Sequence, residues 1–481
     1  MKSKGIIIAL VLVVVAAVAG YFVFRGSGDT YCRVIPKDAA LLARIDMKTL
    51  VADNDIDPKA LAQKMGLGDE NTEIGLDFAS PVYVFASVDQ VMGVVAAIDD
   101  ADKLEAFLND KAEKKESGPV EEQRGYKWVQ LDTYGLMVWD GDILLAMSGK
   151  SADQLRNTMA DLMAQDKDAS IMATKMYEES AESKESLSLI VDGKAAGTVA
   201  KQISTIRMVA PMVNTDDIHL KVTLAIKDNK ATLATDILPQ TDAAKGAIEE
   251  MGKGLKTISG DLIDKGISSP ILWVGTSIDG EKLSEELHAI EPVHQALTLA
   301  DAAIDVNRIL KSLDGDMSLA LDMNVGETMP HYLLNVTTNN TDYLKDVEYW
   351  KIGSFDALAS GGYVANIEGM KVYLGESKKG FYLASDETLG QNADKEASGL
   401  SHLKKDITDS NFYLTVDLQK LLAFGQAEPR AAMMIGAYKD QASKLDRFTI
   451  KAKGLHTELE LSLKEGNNLV KTLEGMISNG K

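Results

Sequence analysis

Thiol and imidazole groups are both scarce in this sequence. One cysteine, Cys32, stands in 481 residues, so neither an intrachain disulfide nor a cysteine-based metal cage can form. The shortage does not choose a compartment, because a chain that buries a large core needs no covalent staples even under oxidising conditions. The six histidines are His219, His288, His294, His331, His402 and His456. Only His288 and His294 lie close together, in EELHAIEPVH beside Glu285, Glu286 and Glu291. A zincin places histidines at i and i+4 of one helix with Glu between them. Here Pro292 interrupts a wider spacing, and a solvated helix face is the expectation.

Positive charge is also in deficit, with 51 Lys and Arg against 72 Asp and Glu, a formal charge of −21. Removing Lys2, Lys4 and Arg25 takes the remainder to about −24, a surface that repels phosphate backbones and anionic headgroups. Nucleic acid is therefore not an expected partner. No Gly-rich phosphate loop, G-x-S-x-G elbow, paired-histidine motif or Cys/His dyad occurs. No catalytic, cofactor-binding or metal residue is assigned, and no cofactor is expected.

What the chain does have is one long apolar run at its start. Gly5 to Phe24 (GIIIALVLVVVAAVAGYFVF) is long enough, at roughly 1.5 Å per helical residue, to span a hydrocarbon core of roughly 30 Å. Lys2 and Lys4 before it and Arg25 after it predict a cytoplasmic N-terminus and an exported remainder. The expected location is thus a bacterial inner membrane, single-pass, with a periplasmic ectodomain. The alternative is export with signal-peptide cleavage near Ala17-Val18-Ala19, against which Tyr21 to Phe24 prolong the apolar segment. Lipidation of Cys32 fits poorly, since Tyr31 and Asp29 occupy positions where a lipobox needs small and aliphatic residues. Ala16 and Gly20 have a small-xxx-small spacing, common by chance in such spans.

Internal similarity organises the rest. Four stretches run from a β-type segment through an Asp into a helix-compatible one: LLARIDMKTL, LSLIVDGK, ILWVGTSIDGEKL and FYLTVDLQKL, with Asp46, Asp192, Asp279 and Asp417 at the junctions. An acidic active site is one reading. Capping is the simpler one, because Asp at a strand-to-helix junction accepts from free N–H groups of the first turn and favours its positive end. Further pairs recur in the same order. Hairpins are expected at Gly125 to Met147 and Gly362 to Ser385, strand-turn-strand-helix units at Pro81 to Leu108 and Met317 to Leu344, and alternating strand pairs at Ile218 to Leu238 and Phe448 to Leu463.

The fold expectation is α+β: a tandem duplication of an antiparallel-sheet-plus-helices unit, helices on one sheet face, preceded by one transmembrane helix. Its segments are 1–25 anchor, 26–33 linker, 34–258 first repeat, 259–267 linker and 268–477 second repeat. Asp140-Gly141 predicts a type I′ turn, and Lys227-Asp228-Asn229 another tight turn. Asp53-Asn54-Asp55-Ile56-Asp57 opens like an EF-hand loop, but Pro58 and Lys64 stand where Gly and Glu are needed. Asp57-Pro58 reads instead as a helix start. Asp99, Asp100 and Asp102, matched by Asn339, Asn340, Thr341 and Asp342 in the second half, read as caps rather than a carboxylate site.

The segment Val34-Ile35-Pro36-Lys37-Asp38-Ala39, with the strand Gly75 to Phe85, resembles a family of Bacteroidota envelope proteins, mostly lipoproteins, that carry a domain of unknown function. The resemblance implies an envelope location and no particular activity. The combined expectation is a non-catalytic membrane-anchored envelope protein with a binding or structural role, its partners the membrane and an envelope protein or glycan. The alternative is a carboxylate-dependent hydrolase acting on glycan or peptide in a groove between the repeats.

Overall fold

The computed structural model describes residues 29–54, 74–77, 79–87, 91–195, 213–324, 327, 329–351, 354–367, 370–397, 399–427 and 439–472. The apolar run Gly5 to Phe24 and residues Asp55 to Lys64 of the EF-hand-like stretch lie outside them. Among the described residues, no helix is long and apolar enough to cross a membrane. The chain divides into two compact units: Met1–Asp228 with Thr235–Ala244, and Asn229–Ala234 with Lys245–Lys481.

Strands of the first unit are β1 (Ala39–Ile45), β2 (Val82–Ser87), β3 (Met92–Ala97), β4 (Glu121–Gln123), β5 (Tyr126–Gln130), β6 (Gly135–Trp139), β7 (Ile143–Ser148), β8 (Leu187–Asp192) and β9 (Ile218–Lys227). β10 (Lys230–Pro239) follows and is shared out between the units. Every pairing is antiparallel, and the spatial order is β4-β5-β6-β7-β3-β2-β1-β8-β9.

The second unit holds β11 (Leu255–Lys256), β12 (Leu272–Asp279), β13 (Leu313–Asp322), β14 (His331–Thr338), β15 (Ser354–Ala357), β16 (Tyr363–Ile367), β17 (Met370–Ser377), β18 (Gly380–Ala384), β19 (Phe412–Asp417), β20 (Leu445–Lys453) and β21 (His456–Leu463). Its antiparallel order is β15-β16-β17-β18-β14-β13-β12-β19-β20-β21, with β11 paired to the end of β12. Taken in chain order, β4 through β9 and their partners trace the same path as β15 through β20 and theirs.

Helices pack on both faces of the first sheet, not on one. β6 and β7 are buried at every position. Trp128, Leu136, Val138 and Leu145 enter one core with Leu155, Met159 and Met163 of the helix Ala152–Ala164. The alternate residues Val129, Met137, Trp139 and Leu144 enter another with Leu104 and Leu108 of the helix Ala101–Glu113. The cause is composition: GLMVW and ILLAMS are apolar throughout, so neither face tolerates water. The second sheet is likewise covered on both sides, Leu333 facing one cluster and Leu334 and Val336 another.

Two local expectations change. The segments 125–147 and 362–385 are three-stranded meanders, β5-β6-β7 and β16-β17-β18, rather than single hairpins. At Asp140-Gly141 the turn closes through a side chain, since Asp140 Oδ1 accepts from Asp142 and Ile143 N–H at 2.8 Å each. That Asx bond removes the need for a type I′ turn. Consecutive positive-φ residues occur instead at Arg124 (58°) and Gly125 (81°) between β4 and β5 and at Gly361 (91°) and Gly362 (84°) between β15 and β16, and Asp228 takes φ 52° after β9. The stretch 259–267 is held within the second unit. Asp316, 3% exposed, accepts from Ser259 N–H, Ser259 Oγ and Gly260 N–H at 2.7–2.9 Å, and Ile263 is buried.

Candidate functional site

The four junction aspartates all cap helices. Asp46 Oδ1 accepts from Thr49 N–H (3.0 Å), Asp279 Oδ1 from Lys282 N–H (3.2 Å) and Asp417 Oδ1 from Lys420 N–H (3.0 Å). Asp192 Oδ1 accepts from Lys194 and Ala195 N–H. Hydrogen bonds and the charge of Lys282 hold the Asp279 carboxyl below its ordinary value. Within each unit the two caps cannot meet. β1 and β8 are antiparallel neighbours with Leu41 opposite Val191, which puts Asp46 and Asp192 at opposite ends of the ladder. At roughly 3.4 Å per residue they stand about 20 Å apart, whereas paired-carboxylate hydrolysis needs about 5–9.5 Å. Asp279 and Asp417 are separated in the same way across β12 and β19.

The remaining polar motifs also resolve into architecture. Asp100 Oδ1 accepts from Asp102 and Lys103 N–H, and Asn340 Oδ1 accepts from Asp342 N–H at the matching place. His288 bonds the Ser284 carbonyl through Nδ1 at 2.7 Å and packs edge-on against His294. Among the described residues no group of three His, Cys, Asp or Glu is arranged to hold a metal ion.

Two clefts occupy corresponding places in the two units. Across the β8–β9 ladder, the cap Asp192 stands opposite His219; across β19–β20, the cap Asp417 stands opposite Arg447. The first unit's cleft, about 250 Å³, is lined by His219 and Asp192 with Gln240, Asp216, Lys175 and Lys194. His219 is 8% exposed. Its Nδ1 lies 2.7 Å from Glu179 Oε2, and Glu179 Oε1 accepts from Gln240 Nε2 at 2.9 Å. Burial pushes Glu179 up, but the bonds from His219 and Gln240 outweigh it and leave the carboxyl below its usual value. An ionised carboxylate only accepts, so Nδ1 carries the proton and donates. His219 Nε2 lies 3.9 Å from Asp192 Oδ2, the oxygen that the cap does not use.

The second unit's cleft is larger, about 560 Å³, and one wall is a polar sheet face. Three cross-strand rows build it: Asp417–Arg447–Ser462, Thr415–Thr449–Glu460 and Tyr413–Lys451–Glu458. Lys230 pairs with Glu460 at 2.9 Å and Lys451 with Glu458 at 3.6 Å. Burial pushes the Tyr413 phenol up to about 12. Half-buried Arg447 donates from Nη1 to Thr415 Oγ1 at 3.1 Å. Among the described residues no carboxylate oxygen lies within 4.0 Å of its guanidinium, Asp417 being turned to its cap. Neither cleft was marked in the sequence: His219 and Glu179 are far apart along the chain, and Arg447 sits in DRFTIKAK, an ordinary alternating strand.

A family model described as Domain of unknown function (DUF4836) matches residues 63–469. No curated protein matches the chain. Among solved structures, TP0453 in crystal form IV is 9% identical with a TM-score of 0.28, covering 43% of this chain and 79% of that one. Crystal form III of TP0453 is 10% identical with a TM-score of 0.27, covering 48% and 88%.

Proposed function

We propose, from the premise that this chain belongs to the DUF4836 family, that it is a non-catalytic envelope protein, held by its N-terminal helix at a bacterial inner membrane, whose exported part binds another envelope component. The observation that carries the reading is the recurrence of a cleft at one place in two sheets of equal strand order, with His219 at its polar head in one and Arg447 in the other. A repeated frame with altered side chains is how a binding scaffold varies its ligands, because the strands fix position while the exposed residues set chemistry. The equal strand orders also support reading the two units as copies of one α+β module.

Anchoring through the apolar run rather than an acyl chain is favoured by Cys32. Its side chain is 0% exposed in a core with Val34 and Ile35, both also 0% exposed. A lipid-bearing residue would have to leave that core. The test uses the full-length chain. Extraction with alkaline carbonate should leave it with membranes, its mature mass should include Met1 or Lys2, and protease should reach it only from the periplasmic side. Detergent-solubilised chain should also bind solubilised envelope saturably, and weaken when His219 and Arg447 are both replaced. Release by carbonate sinks the anchor, and binding that the double replacement leaves intact sinks the role given to the clefts.

A further inference from the structure

The acidic balance of this protein makes one cation conspicuous. Six arginines lie among the described residues, and four of them, Arg33, Arg44, Arg156 and Arg308, have a carboxylate within 4.0 Å. Arg124 is exposed and bonds Asn157. Arg447 alone among these six is both half-buried in a cleft and without a carboxylate partner. Guanidinium carries five N–H donors, and one of them is used on Thr415. Leaving the others facing a partly desolvated cleft is costly unless something accepts from them.

We propose that the cleft of the second unit binds a small zwitterion of the amino-acid or short-peptide class, its carboxylate received by Arg447. This rests on the reading of the clefts as binding sites and names the ligand of one of them. The guanidinium fork matches a planar carboxylate in two parallel bonds. A volume of about 560 Å³ lies in the range of small-molecule sites. The lining selects the charge. Of the acids lining the cleft, Glu458 and Glu460 are paired with Lys451 and Lys230, but Asp406, Asp446 and Glu465 have no such ion pair among the described residues and outnumber the further lysine, Lys464, so a phosphate dianion meets repulsion that a single carboxylate feels less. The same acids attract an ammonium group at the ligand's other end. Thr449, in the row next to that of Arg447, lines the cleft with a hydroxyl for an amide between the two, while Ser462 in Arg447's own row donates to the Arg447 carbonyl at 3.3 Å.

Ligand-observed NMR titration of the full-length, detergent-solubilised chain tests this with tri-alanine, its C-terminal amide and inorganic phosphate. Tri-alanine should bind, its amide at least about ten-fold more weakly, and phosphate should not displace it. Arg447→Gln should weaken tri-alanine at least about ten-fold and Arg447→Lys less, while Arg124→Gln changes nothing. Absence of tri-alanine binding, equal binding of acid and amide, or displacement by equimolar phosphate each overturns the proposal. The acid-against-amide comparison uses the unaltered chain, so it decides even if Arg447→Gln misfolds. Failure here with saturable envelope binding intact removes only the ligand class; failure of both removes the binding reading as well.

Discussion

Replacing the capping aspartates separates an architectural acid from a chemical one. Asp279 Oδ1 accepts from Lys282 N–H, so Asp279→Ala strands that donor at the start of the helix Gly280–His288. Losing such a cap costs about 1 kcal/mol. For a unit of this size that lowers the melting temperature by about 2–4 °C. Asp279→Asn keeps an acceptor in the same place and should cost only a few tenths of a kcal/mol. Asp417 lies at the other end of the β12–β19 ladder, about 27 Å away at roughly 3.4 Å per residue. The two losses should therefore add, to about 2 kcal/mol in Asp279→Ala with Asp417→Ala. Scanning calorimetry of the full chain at neutral pH reads these shifts. An asparagine variant as damaged as the alanine one, or a double variant far from the sum, would refute the capping account, since charge rather than hydrogen-bond acceptance would then be what matters.

Glycine gives two predictions of opposite sign. Helix propensity alone favours Gly→Ala by about 1 kcal/mol, and at Gly246, where an added Cβ meets nothing within 4 Å, Gly246→Ala should raise the melting temperature. At Gly280 the same atom would lie 2.0 Å from the Leu310 carbonyl oxygen, so overpacking of about 1–3 kcal/mol wins and the variant should melt lower. Acid titration tests Glu179, whose folded carboxyl titrates below its unfolded value near 4.5. Its stabilisation is present above that value and is lost as pH falls through the folded one. Chemical denaturation should show Glu179→Gln weaker than the unaltered chain near neutral pH, with the gap closing below about pH 4.5; a constant gap means the ionised form contributes nothing.

Periodicity and junction chemistry made much of this fold legible. Asp46, Asp192, Asp279 and Asp417 announce themselves because a cap is a local device: a strand ends, an oxygen acceptor follows, and a helix begins within a few residues. Alternation likewise exposes β9, β20 and β21, whose faces differ in polarity. What escaped was non-local. A continuous apolar strand such as ILLAMS cannot say how many layers will cover it. Asp140-Gly141 has the residues of a type I′ turn, but the aspartate side chain competes for the same N–H groups and wins. His219 gains meaning only from Glu179 and Gln240, which the sheet brings to it, and Arg447 only from the carboxylates that do not reach it.

Cys32 offers a use beyond its place in the first core. A single sulfhydryl in 481 residues, sealed from solvent, turns alkylation into a stopwatch for one half of the molecule. A maleimide reagent can reach it only when the first unit opens, so the labelling rate against denaturant reports that opening free energy. Calorimetry, by contrast, sums both units. The difference between the two read-outs gives the cooperativity of the halves, without introducing any foreign probe site.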